Sequence, residues 1–182
     1  MTVASAAFRN LMTQLPVITF VGKSNSGKTT FLEKVIAHLT NQGYRVATVK
    51  HHAHTTEVDT EQKDSWRHAQ AGSVVSMVSS PTQFSVVHTV QNEVSMERII
   101  DEAQRAQCDV LIAEGFKRLD YPKIELSRIE RSDKALCSPQ EVEALVTNNQ
   151  KLADEFCGSV PVFGLEDIEE FCLFFVRHCI EG

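Results

Sequence analysis

The run Val21-Gly22-Lys23-Ser24-Asn25-Ser26-Gly27-Lys28-Thr29-Thr30 constrains the fold more than any other stretch. It follows a near-continuous apolar segment, Pro16 to Gly22, of the kind a strand covered on both faces needs. It precedes residues 28–41, where Phe31, Leu32, Val35, Ile36 and Leu39 recur at helical spacing and Gly43 ends the pattern. Gly22 to Thr29 fits the spacing G-x-x-x-x-G-K-[ST] in its required strand–loop–helix setting. Each part has a physical use. Glycines let the backbone turn so that several N–H groups face one anion. The helix start adds its positive end. Lys28 is suited to neutralise β and γ phosphates, Thr29 to offer a hydroxyl to Mg²⁺, and Thr30 to sit near the α-phosphate. The whole loop, Gly22, Lys23, Ser24, Asn25, Ser26, Gly27, Lys28, Thr29 and Thr30, is therefore a candidate nucleotide phosphate site. Lys23 follows the first glycine directly; it is either a lysine that reaches a neighbouring subunit's phosphates or a solvated residue on the rim.

Strand signals alternate with helix signals through the chain, which predicts a mostly parallel sheet flanked by helices, the P-loop nucleotide-binding type of α/β fold. Further strands are expected at 45–52, 108–115, 123–128, 143–148 and 160–164. Helices are expected at 66–71, at 95–106 behind a Ser95 cap, and at 165–180. Residues 73–80 and 84–90, with Pro81 between them, read as an added antiparallel hairpin. With 182 residues and no linker or repeat, a single domain is expected, preceded by a leader over 1–15.

A second acidic group is needed beside such a loop. Glu114 ends the buried run Asp109–Glu114 and is the candidate for the metal side or for orienting the attacking water. Asp109 opens the same run and reads as structural. The polar stretch 50–72 leaves the end of the second strand, where ligands of open α/β sheets bind. It brings Lys50, His51, His52, His54, Asp59, Lys63, Asp64 and Arg67 together. Lys50 and His51 are candidate nucleotide contacts, and Asp59 is a second metal candidate in a segment like those that sense a γ-phosphate. The catalytic candidates are Lys28 and Glu114; the metal candidates are Thr29, Asp59 and Glu114.

The net charge of −6 argues against a nucleic-acid partner, which usually meets a basic excess. No run approaches the ~18 apolar residues of a membrane helix, so a cytoplasmic chain without a membrane partner is expected. Five cysteines without C-x-x-C predict buried free thiols rather than disulfides or a zinc cage.

The segments GKSNSGKTTFLEKVIAHLTNQGYRVATVKHHAH, KDSWRHAQAG and DVLIAEGFK…PKIELSR together resemble the MobB family of molybdopterin-guanine dinucleotide biosynthesis adaptor proteins. That resemblance covers most of residues 16–128, and PVFGLEDIEEF extends it towards the C-terminus. It implies a GTP-binding protein related to signal-recognition and metallochaperone GTPases. It also implies a homodimer with weak GTPase activity, GTP and Mg²⁺ as ligands, and the molybdenum cofactor guanylyltransferase as partner. Gly115, Phe116 and Lys117 then carry the EGFK turn. A guanine-reading Asn-Lys-x-Asp run, whose Asp accepts from the base's N1 and N2 donors, is absent; Asn148 follows a strand where a base reader could sit. Two other readings compete. One is a small-molecule kinase with residues 127–134 as a basic lid. The other is a non-catalytic module that binds molybdopterin at the histidine and lysine cluster. Arg67, Arg128 and Arg131 are the candidates for charge supply.

Overall fold

The structure, a computed structural model, describes residues 15–52 and 59–181. His54 and the 1–14 portion of the leader lie outside these residues. The described chain forms two compact units, one from residues before 52 and after 98, the other from 52 to 98.

The larger unit is a six-stranded sheet: β1 (Val17–Val21), β2 (Val46–Lys50), β5 (Val110–Glu114), β6 (Lys123–Ser127), β7 (Ala144–Thr147) and β8 (Val162–Phe163). Its spatial order is β2-β5-β1-β6-β7-β8, and every pairing is parallel. β1, wholly buried, lies between β5 and β6, so it needs apolar side chains on both faces. Phe20 aligns with Glu114 on one side and Ile124 on the other. That register carries Glu114 to the same end of the sheet as the loop after Val21.

Helix α1 (Lys28–Asn41) buries Phe31, Leu32, Val35 and Leu39 on one face of the sheet. Beside it runs the closing helix α5 (Ile168–Phe175), which extends into a wider π-helical turn at Val176–Ile180. The helix starts later than residue 165 because Asp167 Oδ2 accepts from the Gly164 N–H at 2.7 Å and holds a turn there. Phe171 stands edge-on to Phe20 and Phe31, with ring centroids 6.0 and 5.0 Å away, and this contact locks α1, α5 and β1 together. On the opposite face, α4 (Gln150–Phe156) packs Leu152 and Phe156 on Leu145 and Val142. The sequence reading did not anticipate this short helix. Its signal is the Asn149 cap, whose side chain accepts from Lys151 N, and one apolar i,i+4 pair. Asp109 is structural as expected: Oδ2 accepts from Arg45 N at 2.8 Å and ties the start of β2 to that of β5.

The smaller unit contains α2 (Asp64–Gln70) and the antiparallel hairpin β3 (Val75–Ser79) and β4 (Phe84–His88). Helix α3 (Met96–Arg105) leads the chain back to the larger unit. Among the described residues no helix is long and apolar enough to cross a membrane. Of the cysteines, Cys172 is buried and Cys157 is exposed, which corrects the expectation that all five pack inward. Cys157 lies one residue beyond α4, where Phe156 alone takes the inward position. Burial pushes the Cys172 thiol up to about 11.

Glu125, 1% exposed, faces away from α1 and accepts from the N–H groups of Leu136 and Cys137 at 2.7 and 2.9 Å. It pins the 134–138 segment to the sheet. Glu125→Leu should therefore leave two donors unmet and cost about 2–4 kcal/mol. In a thermal melt this is a fall of roughly 5–15 °C; a change of under ~2 °C would contradict the role.

Candidate functional site

Residues 22–27 leave the end of β1, fold over the end of β6 and enter α1. Two backbone features make this turn. Gly22 lies so close to β6 that a Cβ would stand 2.3 Å from the Leu126 carbonyl oxygen. Gly27, at φ 90°, precedes α1 in the left-handed region that glycine adopts without strain. Asn25 also has positive φ, 61°, which Asn tolerates better than most residues. The Phe31 N–H already donates to Gly27 O, whereas the preceding N–H groups open the helix and have no intrahelical acceptor.

Lys28 folds back over the loop, its Nζ donating to Gly22 O at 3.2 Å and to Lys23 O at 3.0 Å. Its ammonium pKa is lowered, first by partial burial and then by the nearby Lys117 and Lys50 charges, with Glu114 opposing them. An anion bound between these cations would raise the Lys28 pKa again.

Glu114 is where the sequence expected it. Thr29 Oγ1 donates to Glu114 Oε2 at 3.2 Å. Lys50 Nζ lies 3.3 Å from Glu114 Oε1 and 3.4 Å from Thr29 Oγ1. Three sequence-predicted residues thus meet in one corner, two oxygen ligands and a cation that touches both. This donor set fits Mg²⁺, which takes few protein oxygens and keeps several waters. Among the described residues no group of three or more His, Cys, Asp and Glu side chains is placed to hold a metal ion. Next to this corner, His51 donates its backbone N–H to Glu114 O at 3.0 Å and sets its ring 4.9 Å from that of Phe116. Phe116 has φ 42°, an uncommon value for a non-glycine residue, in the turn after Glu114.

Asp59 belongs to the smaller unit, where its Oδ1 accepts from Thr60 N at 2.8 Å. Ser24 and Thr30 are exposed, while Ser26 is buried and its hydroxyl has no partner among the described residues. Lys23 is exposed and donates to Ser132 Oγ of its own chain.

The kinase reading made residues 127–134 a basic lid. The structure ties this segment down. Arg131 Nε donates to Asn25 O at 3.2 Å. Arg128 lies against Gly27, where a Cβ would be 3.1, 3.4 and 3.6 Å from Nε, Cζ and Nη2. Asn148, which follows a strand where a base reader could sit, accepts from Ile129 N at 3.0 Å and donates to both oxygens of Glu130 at 3.1 Å. Short sequence windows gave no sign of this three-way junction.

The profile of the family Molybdopterin guanine dinucleotide synthesis protein B matches residues 17–148, which include the loop, Lys50, Glu114 and Asn148. The chain belongs to this family. Its members include the molybdopterin-guanine dinucleotide biosynthesis adapter protein of Haemophilus influenzae, 36% identical over 74% of this chain and 76% of that one. The probable adapter protein of Bacillus subtilis is 31% identical over 86% of this chain and 90% of its own length. The crystal structure of Bacillus subtilis MobB superposes with a TM-score of 0.70 at 30% identity, covering 92% of this chain and 99% of the other. The family fold is the P-loop nucleoside-triphosphatase type, and the sheet and helices described above are of that type.

The loop's dependence on Gly22 is open to test. Gly22→Ala drives a methyl group into the Leu126 carbonyl, so the loop must shift. Nucleotide affinity by titration calorimetry should fall at least about tenfold, because a displacement near 1 Å breaks several N–H contacts at once. Unchanged affinity would mean that the close approach is not needed.

Proposed function

We propose that this protein is a GTP-binding adapter in molybdopterin-guanine dinucleotide biosynthesis, with slow GTP hydrolysis. The observation that carries the reading is the corner in which Lys28, Thr29, Lys50 and Glu114 converge at the end of β1. The loop N–H groups and Lys28 bind the β and γ phosphates. Thr29 and Glu114 would hold Mg²⁺, which would supply charge neutralisation at the phosphates. Hydrolysis at the γ-phosphate depends on positioning and neutralisation. With its carboxylate given to the metal beside Thr29, Glu114 is not free to orient a water, and a slow rate follows.

The partner is the molybdenum cofactor guanylyltransferase, by analogy with the relatives' names, and molybdopterin is a further candidate ligand. The adapter reading is preferred to the kinase because residues 128–132 are anchored at both ends, as a mobile lid would not be. A homodimer is supported by the hairpin. Met77, Val86 and Phe84 share one of its faces and are 63, 40 and 67% exposed. A two-stranded hairpin with such a face gains stability from added strands or a packed surface. The cytoplasm, where GTP is available, is the compartment this chemistry requires.

Titrating GTP and ATP with and without Mg²⁺ tests the reading. GTP should bind more tightly than ATP and more tightly with Mg²⁺. Lys28→Ala should weaken GTP about 10–100-fold. Light scattering on the same samples should give twice the monomer mass, and a pull-down with a guanylyltransferase should retain the partner. Equal binding of ATP, or a monomer throughout, would contradict the respective part.

A further inference from the structure

Past Phe116 the chain makes a β-turn that the nucleotide site does not use. The Leu119 N–H donates to Phe116 O at 3.1 Å, so Lys117 and Arg118 occupy the two central positions of the turn. This turn is one wall of a cavity of about 350 Å³. The floor is Val21, with Lys123 of β6 beside it. Val21 is the register partner of Glu125, which faces away from α1. The opposite wall is Leu136 and Cys137, in the segment that Glu125 pins through their N–H groups. The cavity starts at the residue before Gly22 and at the third residue after Glu114. It therefore adjoins the phosphate loop, yet none of residues 22–30, Lys50 and Glu114 lines it.

We infer that this cavity is a second ligand site, for a small ring compound that carries a phosphate group. Lys117, Arg118 and Lys123 line it against two carboxylates, Asp120 and Glu141. Glu141 is already engaged, its Oε2 accepting from the N–H and Oγ of Ser138 at 2.7 and 2.8 Å. Among the described residues Asp120 makes no ion pair with the three cations. Lys123 Nζ donates to Tyr121 O at 3.3 Å, and an ammonium has two further donors to give. A phosphate monoester, with a second pKa of about 6, is mostly a dianion at neutral pH. It matches the paired charges of Lys117 and Arg118, whereas a carboxylate matches one of them. Cys137 does not oppose an anion. Burial, and then the Glu125 and Glu141 carboxylates, push its thiol up to about 11, so it stays neutral.

The rest of the lining suits a ring. Val21, Leu119 and Leu136 supply apolar surface, and Leu136 is 41% exposed, so a ring has a face to cover. The volume lies at the low end of the about 300–1,000 Å³ of small-molecule sites, enough for a compact ring and its phosphate. Both walls are held without a ligand, one by the turn hydrogen bond and the other by Glu125, so binding need not order them first. Lys117 links the two sites. Its charge is among those that lower the Lys28 pKa, so it lies within electrostatic reach of the phosphate loop as well as of the cavity. A chain with both sites filled holds a nucleotide and a phosphorylated compound side by side.

This site goes beyond the GTP reading and does not depend on it. Phenyl phosphate is the probe, with benzoate and inorganic phosphate as controls. Each is titrated into the full chain without nucleotide, and again with saturating GDP and Mg²⁺. Methyl NMR signals of Val21, Leu119 and Leu136 report on the cavity, and amide signals of residues 22–30 report on the loop. Phenyl phosphate should shift the three cavity residues saturably, with and without GDP, at least about tenfold more tightly than either control. Arg118 is exposed, and Arg118→Glu should weaken phenyl phosphate about tenfold or more while GDP affinity and the thermal melt stay unchanged. Shifts confined to residues 22–30 and abolished by GDP would mean that the loop alone takes the phosphate, and the inference fails. Equal binding of inorganic phosphate would overturn the ring, and equal binding of benzoate would overturn the phosphate. A chain that binds phenyl phosphate in the cavity but no GDP would contradict the GTP reading and support this one.

Discussion

The structure depends on the close packing of residues 22–27 on the end of β6. No side chain fits between Gly22 and the Leu126 carbonyl, and the Arg128 guanidinium lies against Gly27. This contact bends the chain sharply enough for α1 to begin where β1 ends. It therefore sets the height of Lys28 and Thr29 above the sheet. The Phe20, Phe31 and Phe171 cluster then holds α1 in that position from behind. A loop fixed on both sides keeps its N–H groups aimed without a ligand, so binding need not order them first.

The same packing divides the site by charge. On the β5 side, Glu114 is satisfied by Thr29 and Lys50. On the β6 side, Arg128 and Arg131 lie against the loop while Glu130 is turned away from it towards Asn148. Between them Lys28 is partly buried and repelled by Lys117 and Lys50 against the pull of Glu114, and its pKa is lowered. A polyanion between the two sides would relieve this repulsion, and the Lys50 ammonium marks where a cation can bridge Thr29 and Glu114.

Much of this was legible in the sequence where one local pattern determines the outcome. The apolar run of β1, the spacing of α1, the carboxylate closing β5 and the hairpin around Pro81 each follow from residues close in the chain. Local patterns were weaker for α4, which has one apolar pair, and for β8, which has two residues. The strand order, and with it the neighbours of β1, comes from long-range pairing that no window contains. That is why Glu114 could be found at the end of an apolar run, whereas the packing of Arg128 on Gly27 could not. Arg128 is remote from Gly27 in the chain and adjacent to it only once β6 pairs with β1. Asn148 was noticed for its place after a strand, but its partners, Ile129 and Glu130, come from another connection.

The central claim is that a phosphate cradle is already formed and that Lys50 holds a place for a metal. A crystal structure of the protein with GDP, Mg²⁺ and aluminium fluoride tests it most directly. The account predicts that residues 22–28 superpose on the structure described here to within about 1 Å. It also predicts phosphate oxygens on their N–H groups, and a metal ion ligated by Thr29 and, directly or through water, by Glu114, with Lys50 displaced from between them. A refolded loop, or a nucleotide bound with Lys50 still bridging Thr29 and Glu114, would contradict it.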